Sequence, residues 1–552
     1  MKRWQRSFCA LGLAGCAAPA PAQVALRPAQ AAPAEAVVFC AGTVTEHEVH
    51  RCVWQLTSEQ QRHRSYSQRL LLRRGEFSRL DTVSGSGAPQ ELSSVYEYRG
   101  GRVRSWSREN RNGVVRGRNV LADDERWVRW LDEQDRPRVR AKTTISGLRR
   151  VLSARGRVES FSSVNWLGQP AAEGAVHETR VLRSAAGAVL ERRFFGLRGE
   201  PVQNEDGSHR ITFEVDERGV ERERRYFDAA GAPALASGVH LVRTRSNRFG
   251  EPEAVAYLDV QGAPARETRD GAAGLRYERD ERGNELSLTL LDEQGRPLVG
   301  SNGWAMRKRR YDELDAVIET AFFDASGSPV RERERGAALV REPRGERGNV
   351  TSELFYDERG EPALGTQGYH RADIEYDQRD NPVSYVYSDV KDVPLRSRRL
   401  YYDGDRLIRE EHTDAAGKPL LTAQGYASYE ISYLEDGSEG MKRYFDASGG
   451  QQVTCHGAAP QALQSELAER AGSLRSCYER LLRYGSTEEG KLMVELSVDG
   501  RGAVLNAALV QDEIDDGDLT KCVLETMRVP YLNKSEGDCA TVRVPVVFRQ
   551  KR

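Results

Sequence analysis

Lysine is nearly missing from this chain: 10 Lys stand beside 72 Arg, and the 82 basic residues meet 83 acidic ones. With no surplus of positive charge, nucleic acid is excluded as the main partner, because phosphate binding needs a basic balance or a basic face. No apolar run approaches the roughly 18 residues that a membrane-crossing helix needs, so the mature chain is not spanned by one. No Cys-x-x-Cys pair is present, which removes the common zinc ribbons. Gly-x-Ser-x-Gly, His-Glu-x-x-His and a phosphate-cradling glycine loop are absent too, so no catalytic residue, metal or cofactor is assigned. A 39% hydrophobic share over 552 residues suits a thin, surface-rich architecture better than one thick core.

What is present begins with an export signal. Met1 to Arg6 is a positive n-region, Ser7 to Gly15 a short apolar stretch, and Leu13-Ala14-Gly15-Cys16 looks like a lipobox. In that reading Cys16 is lipidated and residues 17–38, rich in Ala and Pro, form a tether. The competing cut follows Ala20-Pro21-Ala22, and either cut places the protein outside the cytoplasm. The expected address is the cell envelope, as an outer-membrane lipoprotein facing periplasm or exterior.

Six further cysteines, Cys40, Cys52, Cys455, Cys477, Cys522 and Cys539, remain in the exported chain. An even number in that compartment favours disulfides. Cys40 with Cys52 is the economical local pair, and the other four pair within the last hundred residues. His47, His50 and Cys52 could ligate a metal, but polar strand residues beside a disulfide are the simpler reading.

Residues 95–453 repeat. Phe227-Asp-Ala-Ala-Gly-Ala-Pro233, Leu291-Asp-Glu-Gln-Gly-Arg-Pro297, Phe323-Asp-Ala-Ser-Gly-Ser-Pro329 and Tyr356-Asp-Glu-Arg-Gly-Glu-Pro362 are copies of one turn. Prolines 137, 170, 201, 233, 264, 297, 329, 362, 394 and 419 form a ladder whose steps are 31 to 33 residues, except a last step of 25. A second turn series runs beside it: Asp216-Glu-Arg-Gly219, Asp280-Glu-Arg-Gly283, Gly345-Glu-Arg-Gly348 and Asp377-Gln-Arg-Asp380. Between the turns, segments such as Asn284 to Leu291 alternate apolar and polar residues, the period of a half-buried strand. The expected fold is mainly β: an elongated array of about eleven hairpin units of roughly 32 residues, stacked as an open twisted meander or superhelix. Residues 39–94, with strands at Val49–Leu56 and Gln68–Leu72, read as an N-terminal β cap. The turn aspartates read as turn caps, not calcium ligands. Arginine-rich rows such as Arg222 to Arg225 read as solvated, paired strand faces that blunt exposed edges, with a binding face for an anionic polymer as the alternative. His177, His209, His240, His370 and His412 each stand alone and read as structural. The aromatic-Asp-x-x-Gly turns resemble the bacterial tyrosine–aspartate (YD, or Rhs-like) repeats, although the period here is longer and Gly-x-Pro is a departure.

Residues 454–552 change character. Gln461 to Leu482 has helical spacing, Lys491 to Val498 and Ala503 to Val510 alternate about the turn Asp499-Gly-Arg-Gly502, a helix is expected over Asp518–Met527, and a strand over Ala540–Phe548. Cys477-Tyr478-Glu479-Arg480, Gly490-Lys491-Leu492, Val498-Asp499-Gly500-Arg501-Gly502, Leu519 to Val523 and Val544-Pro545-Val546-Val547-Phe548 together resemble the AgmX/PglI-type C-terminal domain of myxobacterial gliding motility, a relative of the TonB C-terminal fold. The resemblance implies a small α/β domain making envelope contacts; Tyr478 and Glu479 are candidate binding residues, with packing on the helix face as the simpler reading. It also implies a Cys477–Cys522 bridge, leaving Cys455 with Cys539.

These readings converge on an envelope scaffold or binding protein, linked to gliding motility or envelope assembly. It would be held to the membrane through a lipid anchor and would dock to envelope proteins or a cell-wall polymer. The alternatives are an energy-transducer relative and an Rhs-like carrier of a C-terminal effector.

Overall fold

The computed structural model describes residues 35 to 549, apart from 47–48, 74–75, 91, 100–101, 122–125, 141–142, 436, 451–458, 484–488, 515, 530, 532 and 534–538. The export signal, Cys16 and nearly all of the tether lie outside the described residues.

Each reversal in the array is built alike. In the turn after Phe227, the Gly231 N–H donates to the Asp228 carbonyl at 3.2 Å, and the Asp228 carboxylate accepts the Ala232 N–H at 2.8 Å. Gly231 sits at φ 85°, where a side chain would be strained. Pro233 then bridges back to Phe227. The same bridge recurs at Pro201, Pro264, Pro297, Pro329 and Pro362, so the proline ladder is one structural position repeated.

Strands between these reversals form a single antiparallel sheet of 28 strands. Val49–Leu56 stands at one end, pairs with Glu35–Glu46, and that strand pairs with Ser67–Arg73. From there each strand pairs with the next in sequence as far as Glu439–Phe445. The expected mainly-β array is therefore what the chain forms, with twelve hairpins between Ser93–Arg99 and Glu439–Phe445 where about eleven were expected. The sheet runs without a break from Glu76–Val83 into Ser93–Arg99, so the N-terminal unit and the array share one sheet. The short last step of the ladder also has a physical cause. Elsewhere a connection follows the proline and the next hairpin joins over three residue pairs, as in Glu223–Arg225 with Leu241–Arg243. Pro394 instead opens the strand Pro394–Asp403 directly, without that connection.

The connections fold onto one sheet face and supply what a single hairpin lacks. Leu288, Leu290, Phe322, Val340 and Phe355 of the strands pack with Ala272, Trp304, Ala337 and Tyr369 of the connections. Consecutive connections also bond to each other: Thr268 N–H to the Ser237 carbonyl, Ser301 to Asp270, Arg333 to Asn302 and Thr366 to Arg335, at 2.8 to 3.2 Å. Nearest-neighbour ties of this kind are how a repeat array gains its cooperativity.

The two turn series have different fates. An added Cβ on Gly231, Gly262, Gly295, Gly327, Gly360, Gly417 or Gly449 would meet open space. On the second series it would collide with the N-terminal strands and the loops between them: Gly187 faces Val44, Gly219 faces Val53, Gly250 faces Trp54 and Arg64, Gly283 faces Ser65, Gly348 faces Arg111 and Gly404 faces Glu133. The meander thus winds into a superhelix, with its first eight strands lying along one edge of the later hairpins. The same segment both ends the sheet and lies along its second turn edge. The outer strand Val49–Leu56 is consequently not left as a naked edge.

A two-repeat alternation runs under this seam. Arg279 and Arg344 donate to the carbonyls of Pro252 and Val317, 27 residues back. In the repeats between and after them, Tyr311 and Tyr376 donate through their hydroxyls to Glu285 and Val350, 26 residues back. The matching turn position alternates as well, Gly283 and Gly348 with Asp315 and Asp380, all at positive φ.

Candidate functional site

Three regions gather chemistry-bearing side chains: the seam, a buried cluster near the end of the array, and the C-terminal domain. At the seam, polar groups dominate. Asp315 accepts from the Ser86 N–H at 2.8 Å, from Asn284 at 2.7 Å and from Arg282 at 2.9 Å. Burial would raise its pKa, but the bonds from Asn284 and Ser86 outweigh that and hold it below the ordinary carboxylate value. Asp380 takes Asn112 and Asn349, each at 2.9 Å, together with Asn110. Arg116 with Asp405, Arg379 with Glu133 and Arg406 with Asp132 continue the line at 3.1 to 3.5 Å.

The helix Ser58–Arg62 shapes part of this seam. Thr57 and Gln60 close it as a capping box, whose Thr-x-x-Gln signal stands in the sequence. His63, just past its end, stacks on Phe249 with centroids 4.6 Å apart. Beside them opens a cleft of about 520 Å³ lined by Tyr277, Arg279, Asp280 and Glu281 among others. Among the described residues, no cluster of three or more His, Cys, Asp or Glu side chains is arranged to hold a metal. The carboxylates of the turns are engaged by their own backbone, as Asp228 shows.

Glu410 is the most enclosed carboxylate of the second region. It accepts from Arg398 at 2.7 Å, from the Tyr429 hydroxyl at 2.7 Å and pairs with His412 Nε2 at 2.8 Å. Burial alone would lift its pKa; hydrogen bonds from His412, Arg398 and Tyr429 prevail and bring it down to about 2. Burial, reinforced by the hydrogen bond to Glu410, pushes the Tyr429 phenol upward. The Lys442 ammonium lies 3.6 Å from the centroid of the Tyr429 ring. The other array histidines play a simpler part: His177 and His370 meet backbone carbonyls of Ala171 and Phe355 through Nδ1, each at 2.7 Å.

In the N-terminal unit, the Cys40–Cys52 disulfide joins the first two strands. A bridged Cys52 is not a metal ligand, and His47 lies outside the described residues. His50 packs between Phe77 and Tyr96 and hydrogen-bonds the Tyr96 hydroxyl. Burial pushes its imidazole down to about 4.

The C-terminal domain stacks helices Gln461–Ser473, Arg475–Arg483 and Gly517–Met527 on a three-stranded sheet ordered Val504–Asp512, Gly490–Asp499, Cys539–Phe548. The expected single helix over Gln461–Leu482 is broken at the buried Leu474, so two shorter helices present Leu463, Leu467 and Cys477 to one core. Asp516 caps the last helix through the Leu519 N–H at 2.8 Å. Gly502 cannot be replaced at the hairpin turn, because a Cβ there would lie 2.0 Å from the Tyr531 carbonyl. The Cys477–Cys522 disulfide ties the second helix to the third with 5.8 Å between their Cα atoms. Cys455 and the side chain of Cys539, the other expected pair, lie outside what the structure describes.

The two candidate binding residues do not form one patch. Tyr478 is only 3% exposed and stacks on Phe548 with centroids 4.9 Å apart, so its ring is core. Glu479, on the outer side of the same helix, pairs with Arg475 at 3.0 Å. Only Glu479 is available to a partner without unfolding the domain. The hairpin at residues 490–512 sits beside the last array strand, and Arg501 reaches Glu439 at 3.3 Å. No described helix is long and apolar enough to cross a membrane. The two disulfides fit an extracellular or periplasmic location.

No protein-family model matches the chain, and no curated protein does. Among solved structures it is similar to TcdB2-TccC3-TEV, at 14% identity and a TM-score of 0.21, covering 71% of this chain and 21% of that one. Similarity to TcdB2-TccC3 without its hypervariable C-terminal region is 14% in identity and 0.23 in TM-score, covering 73% and 22%. The Tc holotoxin pore of Photorhabdus luminescens gives 14% and 0.22, covering 71% and 21%. The chain therefore spans about a fifth of the length of the chains it resembles.

Proposed function

We propose that the protein is an exported, lipid-anchored envelope scaffold. In this reading the coiled β array is a rigid spacer and the C-terminal domain is its docking module. Cys16 would carry the lipid, and the tether would set the array off from the membrane. The partners would be envelope proteins or a cell-wall polymer, in gliding motility or envelope assembly. The observation that carries the reading is the stapled C-terminal domain seated against the last array strand through Arg501 and Glu439. The resemblance of residues 454–552 to the AgmX/PglI-type domain supplies the docking role.

The test combines palmitate labelling with capture from membrane fractions. Label on the wild type, lost in Cys16→Ser, is expected. Deletion of residues 454–552 is expected to abolish recovery of the envelope partner while the array keeps its β signal and melting temperature. Unchanged recovery after the deletion would overturn the docking role, and absence of label would overturn the anchor.

A further inference from the structure

Facing away from the connections, the sheet carries a row of cations at one register position. Arg243, Arg276, Lys308 and Arg341 are the third residues of the strands Leu241–Ser246, Gly274–Arg279, Met306–Tyr311 and Leu339–Arg341, all exposed. The intervening strands place small side chains opposite them: Ala256 by Arg243, Ala254 and Thr289 by Arg276, Ser287 and Ala321 by Lys308. The cations therefore stand above a low floor, except that the Lys308 ammonium also lies 4.9 Å from the centroid of the Phe323 ring. Neighbouring strands are about 4.8 Å apart, so the row repeats every ~10 Å. Its ends are neutralised, Arg243 by Glu223 at 2.7 Å and Arg341 by Glu319 at 3.0 Å. At its centre, among the described residues, Arg276 and Lys308 have no carboxylate within 4 Å. Glu278, opposite Ser287, keeps one carboxylate on this floor and accepts the Ser287 hydroxyl at 2.8 Å, so the cations outnumber but do not exclude negative charge there.

From this register we infer that the outer face of residues 241–341 binds an acidic polysaccharide carrying one negative group per repeating unit, laid across the strands over Arg276 and Lys308. Nucleic acid fits less well, since its phosphates recur every 3.4 Å or so along a strand, several per cation of the row. The disulfides fit a compartment in which such polymers occur. This surface is separate from the C-terminal domain, so the inference stands or falls apart from the docking role.

Titration of the full chain, by calorimetry at low and moderate salt, tests it. The probes are hyaluronan oligosaccharides, with one carboxylate per disaccharide, neutral chitin oligosaccharides, duplex DNA and vesicles of anionic phospholipid. Salt-sensitive binding of hyaluronan alone is expected. Arg276→Ser combined with Lys308→Ser should weaken it roughly tenfold, the scale of two exposed ion contacts, without moving the melting temperature. Absence of binding at low salt, equal binding of the neutral oligosaccharide, or unchanged affinity in the double variant would overturn the inference. So would tighter binding of DNA or vesicles that the same double variant abolishes, which would assign the row to another polyanion.

Discussion

The carboxylate of Asp315 and the backbone N–H of Ser86 meet at 2.8 Å across 229 residues of sequence. Asp315 holds a left-handed conformation, φ 61°, where its sister turns use glycine. Such a conformation costs a non-glycine residue about 1 kcal/mol or more, so the side chain must return something. It returns the seam contacts to Ser86, Asn284 and Arg282.

Asp315→Gly relieves the backbone and removes those contacts, and a net loss of about 1–2 kcal/mol is expected in urea unfolding. Asp392 has φ 59° in the open turn series. Its replacement by glycine should stay within about 0.5 kcal/mol of wild type. Equal effects at the two sites would show that the seam adds nothing to stability.

Acid should act through Glu410. Its folded pKa is about 2 against an ordinary 4.5, so the ionised form is favoured by folding. That stability is complete above about pH 4.5 and is lost as pH falls toward 2, amounting to about 3 kcal/mol. Urea midpoints measured from pH 7 to 2 should show the loss, and Glu410→Gln should flatten it. Because that variant leaves the half-buried Arg398 without its carboxylate, it should also start about 1–3 kcal/mol less stable at neutral pH.

His50 works in a different window. Its folded value of about 4 lies below the ordinary 6.5, so the folded state resists the proton. Protonation of the unfolded chain therefore destabilises the N-terminal unit progressively between about pH 6.5 and 4, with little further change below. Proton-detected titration of the His50 ring should give a midpoint near 4, and a midpoint near 6.5 would remove the effect.

The hairpins were legible because their information is local. Asp228, Gly231 and Pro233 act within six residues, and the strand Val49–Leu56 is legible at both ends because its apolar alternation and flanks are contiguous. The seam was not legible. Ser86 and Asp315, or Asn112 and Asp380, share no pattern that links positions more than two hundred residues apart, and each looks like an ordinary turn residue. A signal did exist in the substitution of Gly283 and Gly348 by aspartate at 315 and 380, which marks turns where a left-handed residue also needs a carboxylate. The C-terminal helix break at Leu474 was hidden for the opposite reason, since helical spacing continues through it. The sequence leaves Tyr478 between packing and binding, because a helix pattern shows a stripe of apolar residues but not how deeply the stripe is covered; its ring packs on Phe548.

That last point has a direct consequence. If Tyr478 is core, Tyr478→Ala opens a cavity against Phe548 and should cost about 3–5 kcal/mol, the usual range for a buried aromatic. Glu479→Ala removes one exposed ion pair and should cost less than about 0.5 kcal/mol. Partner recovery should then fall with Tyr478→Ala only to the extent that the domain unfolds, and Tyr478→Phe, which keeps the ring, should restore both. Loss of recovery in a Tyr478→Ala domain that still melts at the wild-type temperature would return Tyr478 to the interface, because only a surface ring can be removed without a stability cost.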